Sequence, residues 1–211
     1  MNNPGSSRNR SQSGMTLIEV LVVVAVIGVL VALIYPALKA GVGSANRVKC
    51  LGNLRQIGVA AELYTQEHNN RFPDLNVWAM EICPYFSFKI SIENLPTHTK
   101  TIFWCPSANP AQVDPSPNGT LTYGIGMGYA GMNRIAQLSN NGQPVVLSKL
   151  AAFFDASGKN VWDTTPERVS VRHGACYNVL FADGHAESLQ NQQYAPGSNA
   201  WLNLYYGYTR Y

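Results

Sequence analysis

Hydrophobic and polar positions change rhythm twice along the 211-residue chain. In "SGMTLIEVLVVVAVIGVLVALIYPALK" the stretch 20–38 is nineteen residues without a charge, and Glu19 stands directly before it. A helix of that length reaches roughly 28 Å, close to the thickness of a bilayer's hydrocarbon layer. The next most apolar stretch, "VVLSKLAAFF" at 145–154, is short and contains Lys149, which predicts a buried element of a globular domain. Beyond the first run the pattern becomes amphipathic. Val48, Leu51, Leu54, Ile57, Ala61 and Tyr64 recur at steps of three and four, with Arg47, Arg55, Gln56 and Glu62 directed towards water. One helix is therefore predicted from 15 to about 68, about 80 Å long. Pro36 should bend it, Gly41 and Gly43 weaken it, and Asn69-Asn70 with Pro73 end it.

After residue 70 the period shortens and turn residues multiply in "NPAQVDPSPNGT", "GIGMGYAG" and "NNGQP". Candidate strands are "TIFWC" (101–105), "LTYGI" (121–125), "AAFFD" (151–155) and "CYNVLFAD" (176–183). The last is followed by Asp183-Gly184 and "HAESL", which predicts a hairpin. No internal repeat or heptad array is present, and 1–14 reads as disordered by composition. The expected fold class is α+β: one long bent N-terminal helix, transmembrane in its first half and amphipathic in its second, packed on a small antiparallel β-sheet head.

Composition agrees with a span outside the core, because 46% of residues are hydrophobic and only 13% charged. Three readings compete for the apolar run. A cleaved secretory signal has a shorter apolar core with its small-residue cleavage site after it, whereas here Ser13-Gly14 precedes the run. A plain anchor accounts for the length but leaves an acidic group beside a span, which costs a few kcal/mol without a partner. The third reading accounts for both. "SGMTLIEVLVVVAVIGVLVALIYP" resembles the N-terminus of type IV prepilins and of type II secretion pseudopilins. The resemblance implies that a prepilin peptidase cuts between Gly14 and Met15, methylates the amino group of Met15 and leaves the apolar segment on the product. It implies that Glu19, fifth after the cut, pairs with the amino terminus of a neighbouring subunit during assembly, so that neither charge stays alone in an apolar setting. Pro36 lies where many pilins bend the helix. Met15 departs from the usual phenylalanine.

On this resemblance the chain divides into a cleaved leader (1–14), a transmembrane and assembly helix (15–40), its amphipathic continuation (41–70) and a globular head (71–211). The expected place is the bacterial inner membrane, single-pass, with a cytoplasmic N-terminus and a periplasmic or extracellular head. Arg8 and Arg10 suit that orientation, but Lys39, Arg47, Lys49 and Arg55 follow the span, so the orientation rests on the peptidase motif. The implied partners are the prepilin peptidase, other pilin or pseudopilin subunits and inner-membrane lipid. The net charge of +3 falls to +1 without the leader, which gives no ground for nucleic acid as a main partner.

A second resemblance lies in the head. "CLGNLRQIGVAAELYTQEHNNRFP", "WCPS" and "RHGACYNVLFADGH" follow the order seen in prepilin-like proteins abundant in Planctomycetes, Verrucomicrobia and Lentisphaerae. Their C-terminal signature, H-X9-DG, is matched by His173 and Asp183-Gly184. A hairpin would draw His173 back towards the turn, where a hydrogen bond to Asp183 would pin a loop. Cys176, His185 and Glu187 lie nearby, but no Cys-x-x-Cys or His-x-x-x-His pair is present. "DGHAE" also lacks the acidic run of a calcium loop. Turn chemistry is the favoured reading, with no metal and no other cofactor expected.

Cys50, Cys83, Cys105 and Cys176 permit three disulfide connectivities in an exported domain. Cys83 with Cys105, each before a proline, and Cys50 with Cys176 form the working pairing. Four free thiols is the alternative. Catalysis is not expected, since G-x-S-x-G, a phosphate-cradling loop and a dinucleotide fingerprint opening a helix are all missing. The expected function is a structural subunit of a type IV pilus-like or type II secretion pseudopilus assembly. The alternative is a surface or periplasmic binding module anchored by the same leader, for which Trp201, Tyr205, Tyr206, Tyr208 and Tyr211 would offer contacts.

Overall fold

The first element is a helix of 51 residues, α1 (Leu17–Glu67), which includes Pro36. In the computed structural model the described residues are 15–74, 77–87, 101–109, 121–126, 139–140, 143–144, 146–156 and 169–190. The chain separates into two units, Met1–Gly41 and Val42–Tyr211. In the first, every described side chain is exposed. Its best eighteen-residue window has a mean hydropathy of 3.2, so by length and composition this helix suffices to cross a membrane.

In the second unit α1 acquires a buried stripe of Cys50, Asn53, Leu54, Ile57, Ala60, Ala61, Tyr64 and Thr65. The stripe is turned relative to the one expected, because Val48 is 64% exposed and Cys50 and Asn53 lie inside. Polar side chains took these inner positions because they have partners there: the Asn53 amide donates to the Trp104 carbonyl (3.3 Å) and to the Tyr123 hydroxyl (3.2 Å). Thr65 donates to the Ala61 carbonyl four residues back. Asn69 and Asn70, at φ 55° and 58°, end the helix in the left-handed region that asparagine tolerates.

A short helix, α2 (Trp78–Ile82), and a 3-10 turn (Cys83–Tyr85) follow. Strand β1 (Tyr123–Ile125), the small pair β2 (Ser139–Asn140) and β3 (Gln143–Pro144), and a 3-10 turn (Leu147–Lys149) lead to β4 (Ala151–Asp155), β5 (Cys176–Phe181) and β6 (Ala186–Gln190). Four strands form an antiparallel sheet in the order β1-β4-β5-β6. One face gives Tyr123, Ile125, Phe153 and Leu180 to a core shared with the α1 stripe, Trp78, Ile82 and Phe103. Tyr177, Val179, Phe181, Phe154 and Leu189 form a second buried cluster. This is the expected α+β arrangement. The β5–β6 hairpin also forms, with Gly184 at φ 91° in the turn, where a side chain would be strained.

One expected strand is absent. Residues 101–105 make reverse turns, with Trp104 N–H donating to the Thr101 carbonyl and Ala108 N–H to that of Cys105. The segment is tied to its neighbours at points instead of along a ladder. Thr122 accepts from the Cys105 amide (2.6 Å) through its hydroxyl, which in turn donates to the Phe103 carbonyl (3.1 Å). Phe103 is thereby held against Trp78 and Phe86.

Candidate functional site

The most concentrated chemistry of the head lies where α1, the 101–105 turns, the end of β4 and the entry to β5 meet. Cys50 projects from the buried stripe of α1 and forms a disulfide with Cys105, with Cα atoms 5.4 Å apart. This differs from the working pairing. Cys83 is a buried free thiol in the 3-10 turn, and Cys176 is a half-buried free thiol opening β5. Sequence spacing could not foresee it, because the 101–105 segment folds back onto the helix through turns and not as a strand. Burial pushes the Cys83 thiol pKa up to about 11, as expected where the thiolate would be stripped of water.

His173 stands against the disulfide. A bridge to Cys176 and Gly174 at φ 75° fold the chain tightly just before β5, directing the imidazole inward. Its Nε2 lies 3.4 Å from Cys105 Sγ and 3.4 Å from Asp155 Oδ2. The polar contacts of His173 are thus Cys105 and Asp155, not Asp183. Asp183 instead receives the His185 amide (3.1 Å) and faces the His185 imidazole, whose ring stacks on Phe181. The hairpin carries Asp183 to its outer tip while His173 stays at its base.

Asp155 is wholly buried at the end of β4 and accepts the Asn178 amide (2.8 Å) through Oδ2. Its Oδ1 and the Nδ1 of His173 have no hydrogen-bond partner among the described residues. The half-buried Arg172 is a cation whose charge interacts with that of Asp155. It donates to the Thr122 carbonyl (2.8 Å) and to the Ala156 carbonyl, and burial lowers its pKa while the Asp155 charge opposes that shift. Burial likewise raises the pKa of the adjacent Tyr123 phenol. One ligand atom from each of Cys50, Cys105, Asp155 and His173 falls within 4.8 Å of the others. Asp155 was missed from sequence, where it reads only as the polar end of a strand.

The other site is the N-terminal segment. Gly14 lies outside the described residues, and α1 starts two residues after Met15. The Thr16 amide and hydroxyl both donate to Glu19 Oε2 (2.7 and 2.8 Å), and the Glu19 amide approaches Thr16 Oγ1 (3.4 Å). This is a reciprocal capping box. Its signal, T-x-x-E, is present in the sequence, so Thr16 could have been found there. A carboxylate has about four acceptor sites, so the cap leaves capacity for a second cation.

Residues 9–35 match the family described as "Prokaryotic N-terminal methylation motif". The N-terminal segment thus carries a prepilin-type methylation motif. Type II secretion system core protein G of Aeromonas hydrophila is 35% identical over 66 residues, 31% of this chain and 46% of that relative. The protein of the same name from Pectobacterium carotovorum is 36% identical over 72 residues, 34% of this chain and 45% of its own length. That from Pseudomonas aeruginosa is 37% identical over 57 residues, 27% and 40% respectively. The chain therefore spans less than half the length of these curated relatives. No solved structure matches it. The aromatic C-terminus, with Trp201, Tyr205, Tyr206, Tyr208 and Tyr211, lies outside the described residues.

Proposed function

We propose that this prepilin-like chain is a structural subunit of a pseudopilus or pilus-like assembly, and not an enzyme. The observation that carries the reading is a methylation motif ending in a long apolar helix segment whose side chains are all exposed. Such a surface requires lipid before assembly and neighbouring helices after it. In this reading the prepilin peptidase cuts after Gly14 on the cytoplasmic face and methylates Met15. The single span then holds the head outside the inner membrane, and the helix joins others of its kind. Glu19 caps its own helix through Thr16 and presents its remaining acceptor capacity to the amino terminus of a neighbour. Support comes from the register of Gly14, Met15 and Glu19 and from the relatives named as secretion-system core proteins.

The test is the intact mass and the N-terminal peptide mass of the protein taken from its native membrane. A mature start at Met15 carrying one methyl group is expected. A retained leader, or a cut beyond the apolar run, would refute processing and leave Glu19 without the partner proposed for it. Glu19→Gln, which keeps an acceptor for Thr16 but removes the charge, should still insert in the membrane and fail to enter fibres.

A further inference from the structure

We propose that Cys50, Cys105, Asp155 and His173 form a tetrahedral zinc site in the reduced chain, one that the Cys50–Cys105 disulfide replaces on oxidation. Two thiolates, an imidazole and a carboxylate are all ordinary zinc ligands, and zinc favours four of them in a closed structural site. The four come from separate parts of the fold, yet their ligand atoms lie within 4.8 Å of one another and all four residues are buried.

Two of the distances match edges of a zinc tetrahedron, and the sulfur–sulfur edge would open to about 3.8 Å once the Cys50–Cys105 bond is reduced. A zinc–nitrogen distance of about 2.0 Å and a zinc–sulfur distance of about 2.3 Å place N and S about 3.5 Å apart across a tetrahedral edge, and N and O about 3.3 Å apart. His173 Nε2 lies 3.4 Å from both Cys105 Sγ and Asp155 Oδ2, which fits both edges, and the distance to Asp155 is long for a charge-assisted hydrogen bond. Charge also balances. Two thiolates and one carboxylate around Zn²⁺ leave a single negative charge, which the half-buried Arg172, whose charge interacts with that of Asp155, offsets.

The chemistry closes without an unnamed reagent. Zinc uptake converts two thiols into two bound thiolates and releases two protons. In the alternative state each sulfur loses one electron to a disulfide-bearing oxidant, which is reduced to a dithiol, and the S–S bond takes the place of the metal. The sulfurs cannot serve in both states at once, so the site reports the redox condition of the head.

The experiment uses the full chain in detergent, in a Cys83→Ser, Cys176→Ser background that leaves only the two cysteines of the site. A trialkylphosphine reduces the disulfide, taking up one oxygen atom from water, and is then removed without air. Cobalt is added as a spectroscopic probe and zinc afterwards. The expected result is one cobalt per reduced chain, with tetrahedral ligand-field bands and thiolate-to-metal charge transfer, displaced by zinc and absent from the oxidised chain. His173→Asn and Asp155→Asn should each weaken uptake by roughly tenfold or more. Zinc-edge X-ray absorption of the loaded parent chain reads the ligands even if those variants fail to fold. Two sulfurs at about 2.3 Å and two lighter atoms at about 2.0 Å are expected. No uptake by the reduced chain, equal uptake by the oxidised chain, or a shell with any other count of sulfur would overturn the proposal.

Discussion

Replacing both cysteines, Cys50→Ala with Cys105→Ala, should cost the head a large share of its stability. The bond closes a loop across a sequence separation of 55 residues. The chain-entropy relation for a loop of that length gives about 4 kcal/mol of denatured-state destabilisation at room temperature. Net stabilities of domains lie at roughly 5–15 kcal/mol, so the bond carries much of the total. Each kcal/mol moves the midpoint of a domain the size of Val42–Tyr211 by roughly 2–4 °C, so the midpoint should fall by about 8–16 °C. Both positions are fully buried, and lost sulfur contacts add to the same sign. The assay is thermal unfolding of the oxidised full chain in detergent, followed by near-ultraviolet circular dichroism so that the signal comes from the aromatic core. Peptide mapping of the parent without reduction should recover Cys50 linked to Cys105. A fall of under about 3 °C, or a linked peptide containing Cys83 or Cys176, would refute the reasoning.

Three further outcomes follow from the head. Gly126→Ala should destabilise by roughly 1–3 kcal/mol, because an added Cβ would overlap the Ala151 carbonyl oxygen and backbone cannot swing aside; urea unfolding at constant slope reads it. Burial, and secondly the hydrogen bond to Glu81, push the Tyr64 phenol up to about 12. Its folded-state pKa is raised, so the associated stability is complete below about pH 10 and is lost as pH climbs towards 12, a loss that Tyr64→Phe should reduce in alkaline unfolding titrations. Of the two free thiols, half-buried Cys176 should react first with an alkylating reagent, and buried Cys83, its thiol raised to about 11, should lag; peptide masses over time give the order, and Cys83 reacting first would contradict its placement.

The elements built from local pattern were legible before any coordinates. Nineteen uncharged residues can hardly be other than a long apolar helix, and two asparagines before Pro73 end it, because chain sterics decide such features within a few residues. The Asp183-Gly184 turn and its hairpin belong to the same class, since register between adjacent strands follows from turn and alternation. The motif around Gly14, Met15 and Glu19 was equally plain in sequence, and so was the capping box once Thr16 is read with Glu19.

Tertiary structure decided what depended on distant partners. Periodicity placed Val48 inside and could not know that Asn53 would find the Tyr123 hydroxyl and the Trp104 carbonyl, which makes a polar position the buried one. "TIFWC" has strand composition, but a disulfide, a threonine hydroxyl and an aromatic cluster hold it as turns at a cost in β-propensity that packing outweighs. His173 was visible as a residue of interest, whereas its partner was not. Asp155 lies eighteen residues earlier on a neighbouring strand, and only the sheet order β1-β4-β5-β6 brings the two together beside Cys50 and Cys105. Sequence determines elements through local sterics and period, while the meeting of four side chains from a helix, a turn segment, a strand end and a strand entry is fixed by the packing of the whole head.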